Sequence, residues 1–168
     1  MNCREKLEAY LRANHVPFHV QHHPLAFTAQ EVAASEHIPP RVLAKVVISI
    51  VDGLMMMLVL PASHRVDLTD LAVALKARDV RLAEESEFQT LFPDCEIGAM
   101  PPFGTFYDMP VYVDEALTSE KTIVFQAGTH TDTISLPYAD FERLVEPQIE
   151  KFARIGRGEV AGMAGIRR

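Results

Sequence analysis

The chain has 168 residues, 48% of them hydrophobic and 23% charged, and a formal net charge of −7. That length suits a single domain able to bury about 70% of its unfolded surface. A net negative chain lacks the Lys/Arg surface that extended duplex binding needs, and no apolar run nears the roughly 20 residues of a membrane span, so DNA and membranes are not expected partners.

Residues 2–13 place Leu7, Tyr10 and Leu11 on one side of a helix, and the alternating charge there does not read as a secretory leader. VPFHVQHH (16–23) alternates as a half-buried strand does. In TAQEVAASEH, Thr28 and Glu31 stand at capping-box spacing, opening a helix that must stop before Pro39-Pro40. VVISIVDGLMMMLVLPA is cut by Asp52-Gly53, so residues 42–51 and 54–60 read as a hairpin with a tight turn, its methionines filling the core. DLTDLAVALKA is a helix capped by Asp67 or Thr69, and a VRLA strand (80–83) precedes a short helix around SEFQTLF. Strands follow at 111–113 and 121–126, then the turn AGTHTD, the strand TISL and the helix PYADFERLV. Pro147 is expected to open a last helix with Ile149 and Phe152 inward, and the chain beyond 155 to be a loose tail (156–168). The sum is an α/β (α+β) single domain over 1–155, with a mixed, curved, barrel-like β-sheet flanked by helices. Cys3 and Cys95 lie far apart without CxxC spacing and read as reduced thiols of a cytoplasmic protein.

Three segments stand out chemically. Lys45 interrupts the apolar run VLAKVVISIV. It is either an edge lysine with its amine in water or an ammonium lining a pocket for an anionic or carbonyl-bearing ligand. EIGAMPPFG (96–104) is stiff and poor in donors, because Pro101 and Pro102 lack N–H groups while Gly98 and Gly104 reach unusual backbone angles. Such a loop, with Phe103 read as exposed, presents carbonyl oxygens to an ammonium, a ribose hydroxyl or an attacking water. It is either that or a plain connection, and without GK[ST] it is no phosphate loop. In AGTHTD, Gly128 permits close approach to a ligand, and His130 can donate or shuttle a proton. A surface turn is the simpler reading. Three histidines at 19–23 alternate across a strand without a nearby carboxylate or cysteine, so no metal is expected. Cys95 could act as a nucleophile with His130 as base, but nothing in its context activates it.

Taken together, AKVV around Lys45, GAMPPFG (98–104) and AGTH (127–130) resemble the YbaK/EbsC family, free-standing relatives of the editing domain of prolyl-tRNA synthetase. The resemblance runs in order over roughly residues 20–153, through HHPLAFTAQEVA, LFPDCEIGAMPPFG and YADFERLV. It implies a barrel-like mixed sheet and hydrolysis of the ester joining a wrong amino acid to tRNA, with no cofactor. Lys45 would hold the terminal nucleotide or the amino-acid end. Gly98, Ala99 and Met100, followed by Pro101 and Pro102, would supply carbonyls for the amino group and attacking water, helped by the substrate's own 2′-hydroxyl. Gly128, Thr129 and His130 would form the far wall, with Phe27 and Val46 touching substrate. Val46 stands where several relatives carry Asn or Thr, so the amino acid edited does not carry over. The implied partner is the acceptor end of a charged tRNA, with a synthetase or an elongation factor as the candidate carrier. A non-catalytic module binding a nucleotide or amino acid in the same pocket is the alternative.

Overall fold

A computed structural model describes residues 1–156; the expected loose tail beyond Gly156 lies outside the described residues. α1 (Cys3–Ala13) opens on a reciprocal cap: Asn2 accepts the Glu5 N–H at 2.8 Å and Glu5 accepts the Asn2 N–H at 2.9 Å. β1 (His19–His22) leads to α2 (Ala29–Ser35), which carries the expected Thr28–Glu31 capping box. β2 (Ala44–Val51) and β3 (Leu54–Pro61) form the hairpin read from the sequence. Asp52 and Gly53 adopt φ of 48° and 83°, the double positive φ of a type I′ turn. Ala44 and Ile48 of β2 enter one core cluster and Val47 and Val51 another, so both faces of the strand are covered.

β4 (His64–Val66), α3 (Leu68–Leu75), β5 (Val80–Leu82) and α4 (Glu85–Phe88) follow. Next come β6 (Val111–Asp114), β7 (Thr122–Gln126), β8 (Asp132–Pro137) and α5 (Tyr138–Val145). The five-stranded sheet runs β5-β2-β3-β6 and then β9 (Gln148–Glu150), antiparallel up to β3 and parallel beyond it. A second, antiparallel sheet is ordered β1-β8-β7, and β4 pairs with β10 (Ala153–Ile155). The mixed sheet expected from the sequence is therefore present. It stays open rather than closing as a barrel, and a parallel bridge between Leu43 and Val124 joins the two larger sheets.

Two expectations are corrected here. Residues 148–155 form strands, not a helix: Gln148 pairs beside Tyr112, and the buried Asp114 carboxylate accepts the N–H groups of Phe152 and Ala153, each at 2.8 Å. Pairing along the β6 edge overrides the helical spacing of Ile149 and Phe152, and only Phe152 is buried. Phe103, read as exposed, is fully buried, packed against the rings of Tyr10, Phe106, Phe125 and Phe141. The proline-stiffened loop is thus nailed to the core by its aromatic residue.

Candidate active site

β2 pairs with β5 from Ser49 onward and meets β7 at Leu43, so among the described residues its edge at residues 45–47 has no strand beside it. A cavity of about 390 Å³ lies there. Lys45 and Val46 line it from β2, Gly98 and Met100 from the loop, and Phe27 from the turn before α2. Two of the three segments singled out in the sequence, the Lys45 strand and the proline-stiffened loop, therefore share one cavity, joined by Phe27; the third, residues 127–130, does not line it. Ile48 sends its carbonyl outward to the Ala83 N–H at 2.9 Å, so the two-residue repeat turns the backbone of Val46 to the same, cavity side. Lys45 is 9% exposed, and its stem lies in the body of the fold.

The loop is fixed by ties to the turn after β7. Gly98 has φ of +89°, and the carbonyls on either side of it are drawn away from the cavity. Ala99 O accepts the Gly128 N–H at 2.8 Å, and Ile97 O accepts His130 Nε2–H at 2.8 Å. Glu96 completes the weave: its N–H donates to Gly128 O and its carboxylate accepts the His130 N–H, both at 2.8 Å. Residues 96–99 and 128–130 thus form one hydrogen-bonded unit, of which Ile97 and Gly98 face the cavity.

A model of the aminoacyl-tRNA editing domain matches residues 23–144, a span that holds every one of these segments. The chain belongs to the aminoacyl-tRNA editing domain family. Over 98 residues it is 32% identical to the Escherichia coli (strain K12) protein named multifunctional Ser/Thr-tRNA deacylase ProXp-y, covering 57% of this chain and 58% of the relative. The chain thus spans a little over half the length of the curated relatives it matches. Its fold resembles that of hypothetical protein APE2540, with a TM-score of 0.79 at 19% identity over 89% of this chain and 99% of that one. A crystal structure described as a candidate trans-editing enzyme for prolyl tRNA synthetase superposes with a TM-score of 0.76 at 19% identity, covering 90% and 97%.

The remaining candidate residues named from the sequence do not line the cavity. Ala99, Pro101 and Pro102 are buried and do not line the cavity. His130 does not line it either: its ring packs 3.4 Å from where a Cβ on Gly98 would lie, covered by Phe27 at 4.8 Å between centroids. Nε2 donates to the Ile97 carbonyl, and Nδ1 is buried with no hydrogen-bond partner among the described residues. Gly128 makes room for protein, not ligand: a Cβ there would sit 2.7 Å from Cys3 Cβ at φ of +97°. Thr129 Oγ1 donates to Asp132 at 2.6 Å. Burial pushes the Asp132 carboxyl up, but Thr129, His22 and Arg4 outweigh it and hold it below the usual carboxylate range.

Several lining residues were not singled out in the sequence. Ile48, Ala83, Phe88 and Ile97 give the cavity an apolar floor continuous with the main core cluster, and Glu85 stands at its rim. Gln126, the last residue of β7, also lines it. The pattern offered one usable signal, a polar residue closing the apolar run TIVFQ directly before AGTH.

The cysteine reading is overturned. Cys3 and Cys95 form a disulfide across a sequence separation of 92, with Cα atoms 5.4 Å apart, because α1 packs its first turn on the 94–95 loop. Their distance in sequence says nothing about distance in space, so the inference to reduced thiols falls. Cys95, bonded to Cys3, is no nucleophile here. The histidines at 22 and 23 face different partners, Asp132 and the buried Glu36.

Proposed function

We propose that this editing domain hydrolyses the ester joining an amino acid to the terminal ribose of tRNA, acting on the acceptor end of charged tRNA. The observation that carries the reading is the convergence of Lys45 with Gly98 and Met100 on one cavity. An aminoacyl ester is already activated, so positioning and oriented dipoles suffice without a strong nucleophile. Lys45 holds the terminal nucleotide or the amino-acid end. The carbonyls of Gly98 and Met100, rather than those of Ile97 and Ala99 that bind His130 and Gly128, face the amino group and the attacking water. Water adds to the ester carbonyl carbon with help from the ribose 2′-hydroxyl. The bond to the ribose oxygen then breaks, and the proton given up by water ends on that oxygen. His130, Gly128 and Thr129 act at one remove, by fixing the loop.

Such a protein works where charged tRNA is made, so we place it in the cytoplasm, receiving its substrate from a synthetase or an elongation factor. Incubating a panel of mischarged tRNAs with wild type and Lys45→Ala tests the reading. Lys45→Ala should slow release at least about tenfold, or about 1.4 kcal/mol of transition-state stabilisation. Release at the buffer rate from every tRNA by the wild type would end it. The second reading, a module that binds without turnover, is favoured by the position of the His130 ring behind Gly98, which leaves the wall without an imidazole base. Tight binding of an aminoacyl-adenosine analogue with no ester cleavage would decide for it.

A further inference from the structure

Gln126 ends β7 at the point where β7 parts from β2. Lys45 and Gln126 each lie two residues past the Leu43–Val124 bridge, so the parallel register brings both to the same end of the cavity they line. The amide nitrogen of Gln126 is buried and has no hydrogen-bond partner among the described residues. A sheltered amide donor left unpaired costs stability, whereas an apolar side chain of the same shape would not. The residue lines the cavity although the nitrogen itself is shut off from it, so an acceptor arriving with the ligand would be met by turning the amide. The terminal torsion of glutamine is soft, so the N–H can turn to such an acceptor at little cost.

The cavity supplies the rest of the chemistry. Gly98 and Met100 line the wall contributed by the loop, and the floor of Val46, Ile48 and Phe88 is apolar. Lys45 and Gln126 are donors at one end. An ester under attack by water develops negative charge on its carbonyl oxygen, and that oxygen needs donors, not carbonyls.

We propose that the Gln126 amide is a catalytic residue of the editing reaction, donating its N–H to the substrate's carbonyl oxygen as that oxygen becomes negative. The proposal rests on the deacylase reading given above. In the step, the water oxygen bonds to the carbonyl carbon and the carbonyl π pair moves onto oxygen. The amide holds that oxyanion without giving up its proton, and collapse expels the ribose oxygen. A neutral donor in a sheltered site strengthens its hold as charge builds, so its effect belongs in kcat.

Single-turnover and steady-state deacylation by Gln126→Leu, with urea unfolding of the same variant, tests this. The expected result is a loss in kcat of about a hundredfold or more, KM within about threefold, and stability equal to or above wild type. A purely structural glutamine would instead lose stability and keep kcat. Gln126→Glu should fall at least as far, since a carboxylate repels the oxyanion. Wild-type kcat in Gln126→Leu, with Lys45→Ala impaired, overturns the role of Gln126 and leaves the deacylase reading standing. A rise in KM alone, with kcat kept, overturns it too, by making the amide a ground-state contact. Failure of the wild type to release any amino acid removes the deacylase reading itself.

Discussion

A methyl group on Gly128 would lie 2.7 Å from Cys3 Cβ and 2.8 Å from Cys3 Sγ, at a φ of +97° where side chains are strained. Gly128 also ties the loop, donating to Ala99 and accepting from Glu96. Gly128→Ala is therefore expected to cost about 2–4 kcal/mol, combining backbone strain with overpacking, which urea unfolding would read. Deacylation should fall with it, because the loop and the first turn of α1 cannot both keep their places. Lys45 is the opposite kind of residue. Its neighbours on β2 are apolar, and it lines the cavity. That much the sequence displayed, since a lone lysine inside VLAKVVISIV is conspicuous by its chemistry. Gln126 was not conspicuous. A polar residue at a strand end is ordinary, and only the parallel bridge between β2 and β7 puts it beside Lys45.

At the scale of elements, local signals succeeded where short-range chemistry decides the conformation. The Thr28–Glu31 box opens α2 and Asp52-Gly53 turns the hairpin, each fixed by contacts within a few residues. They failed at 148–155, where the partner is β6 and the organiser is Asp114, more than thirty positions away. Asp114 is 1% exposed and accepts from Ala116 at 3.0 Å as well as from Phe152 and Ala153. Asp114→Ala leaves these donors without their acceptor, two of them buried, and should destabilise the domain by about 2–4 kcal/mol. A loss below about 0.5 kcal/mol in urea unfolding would show that Asp114 does not hold the β9–β10 segment. The proline-stiffened loop shows the same dependence: its prolines are local, but Ile97 O and Ala99 O are taken up by His130 and Gly128 from another strand end, which the loop's own sequence does not state.

Across the whole molecule, the two larger sheets share one core, and the cavity lies beside the backbone bridge of Leu43 and Val124 that joins them. The disulfide pins α1 to the loop, closing a long segment of chain. Chain-entropy arguments allow as much as about 4–5 kcal/mol for a closure of that length, and about 2–4 is typical. Thermal unfolding with and without a thiol reductant should show a clear fall in Tm on reduction. Unchanged Tm would mean that α1 packing alone, through Leu7 and Leu11, holds the helix in place. The charge of −7 argues against gripping a nucleic acid along a duplex.

The amino-acid sequence alone determined the hairpin, the capped helices, the mixed α/β class and the family, because each is written in residues close together or in motifs of fixed order. Tertiary structure alone decided the rest: which loop carbonyls are taken up by Gly128 and His130, that Cys3 meets Cys95, that Phe103 is core, and that Gln126 lines the same cavity as Lys45. Those depend on contacts between segments far apart in the chain, and spacing along a sequence carries no information about such distances until the sheets are in place.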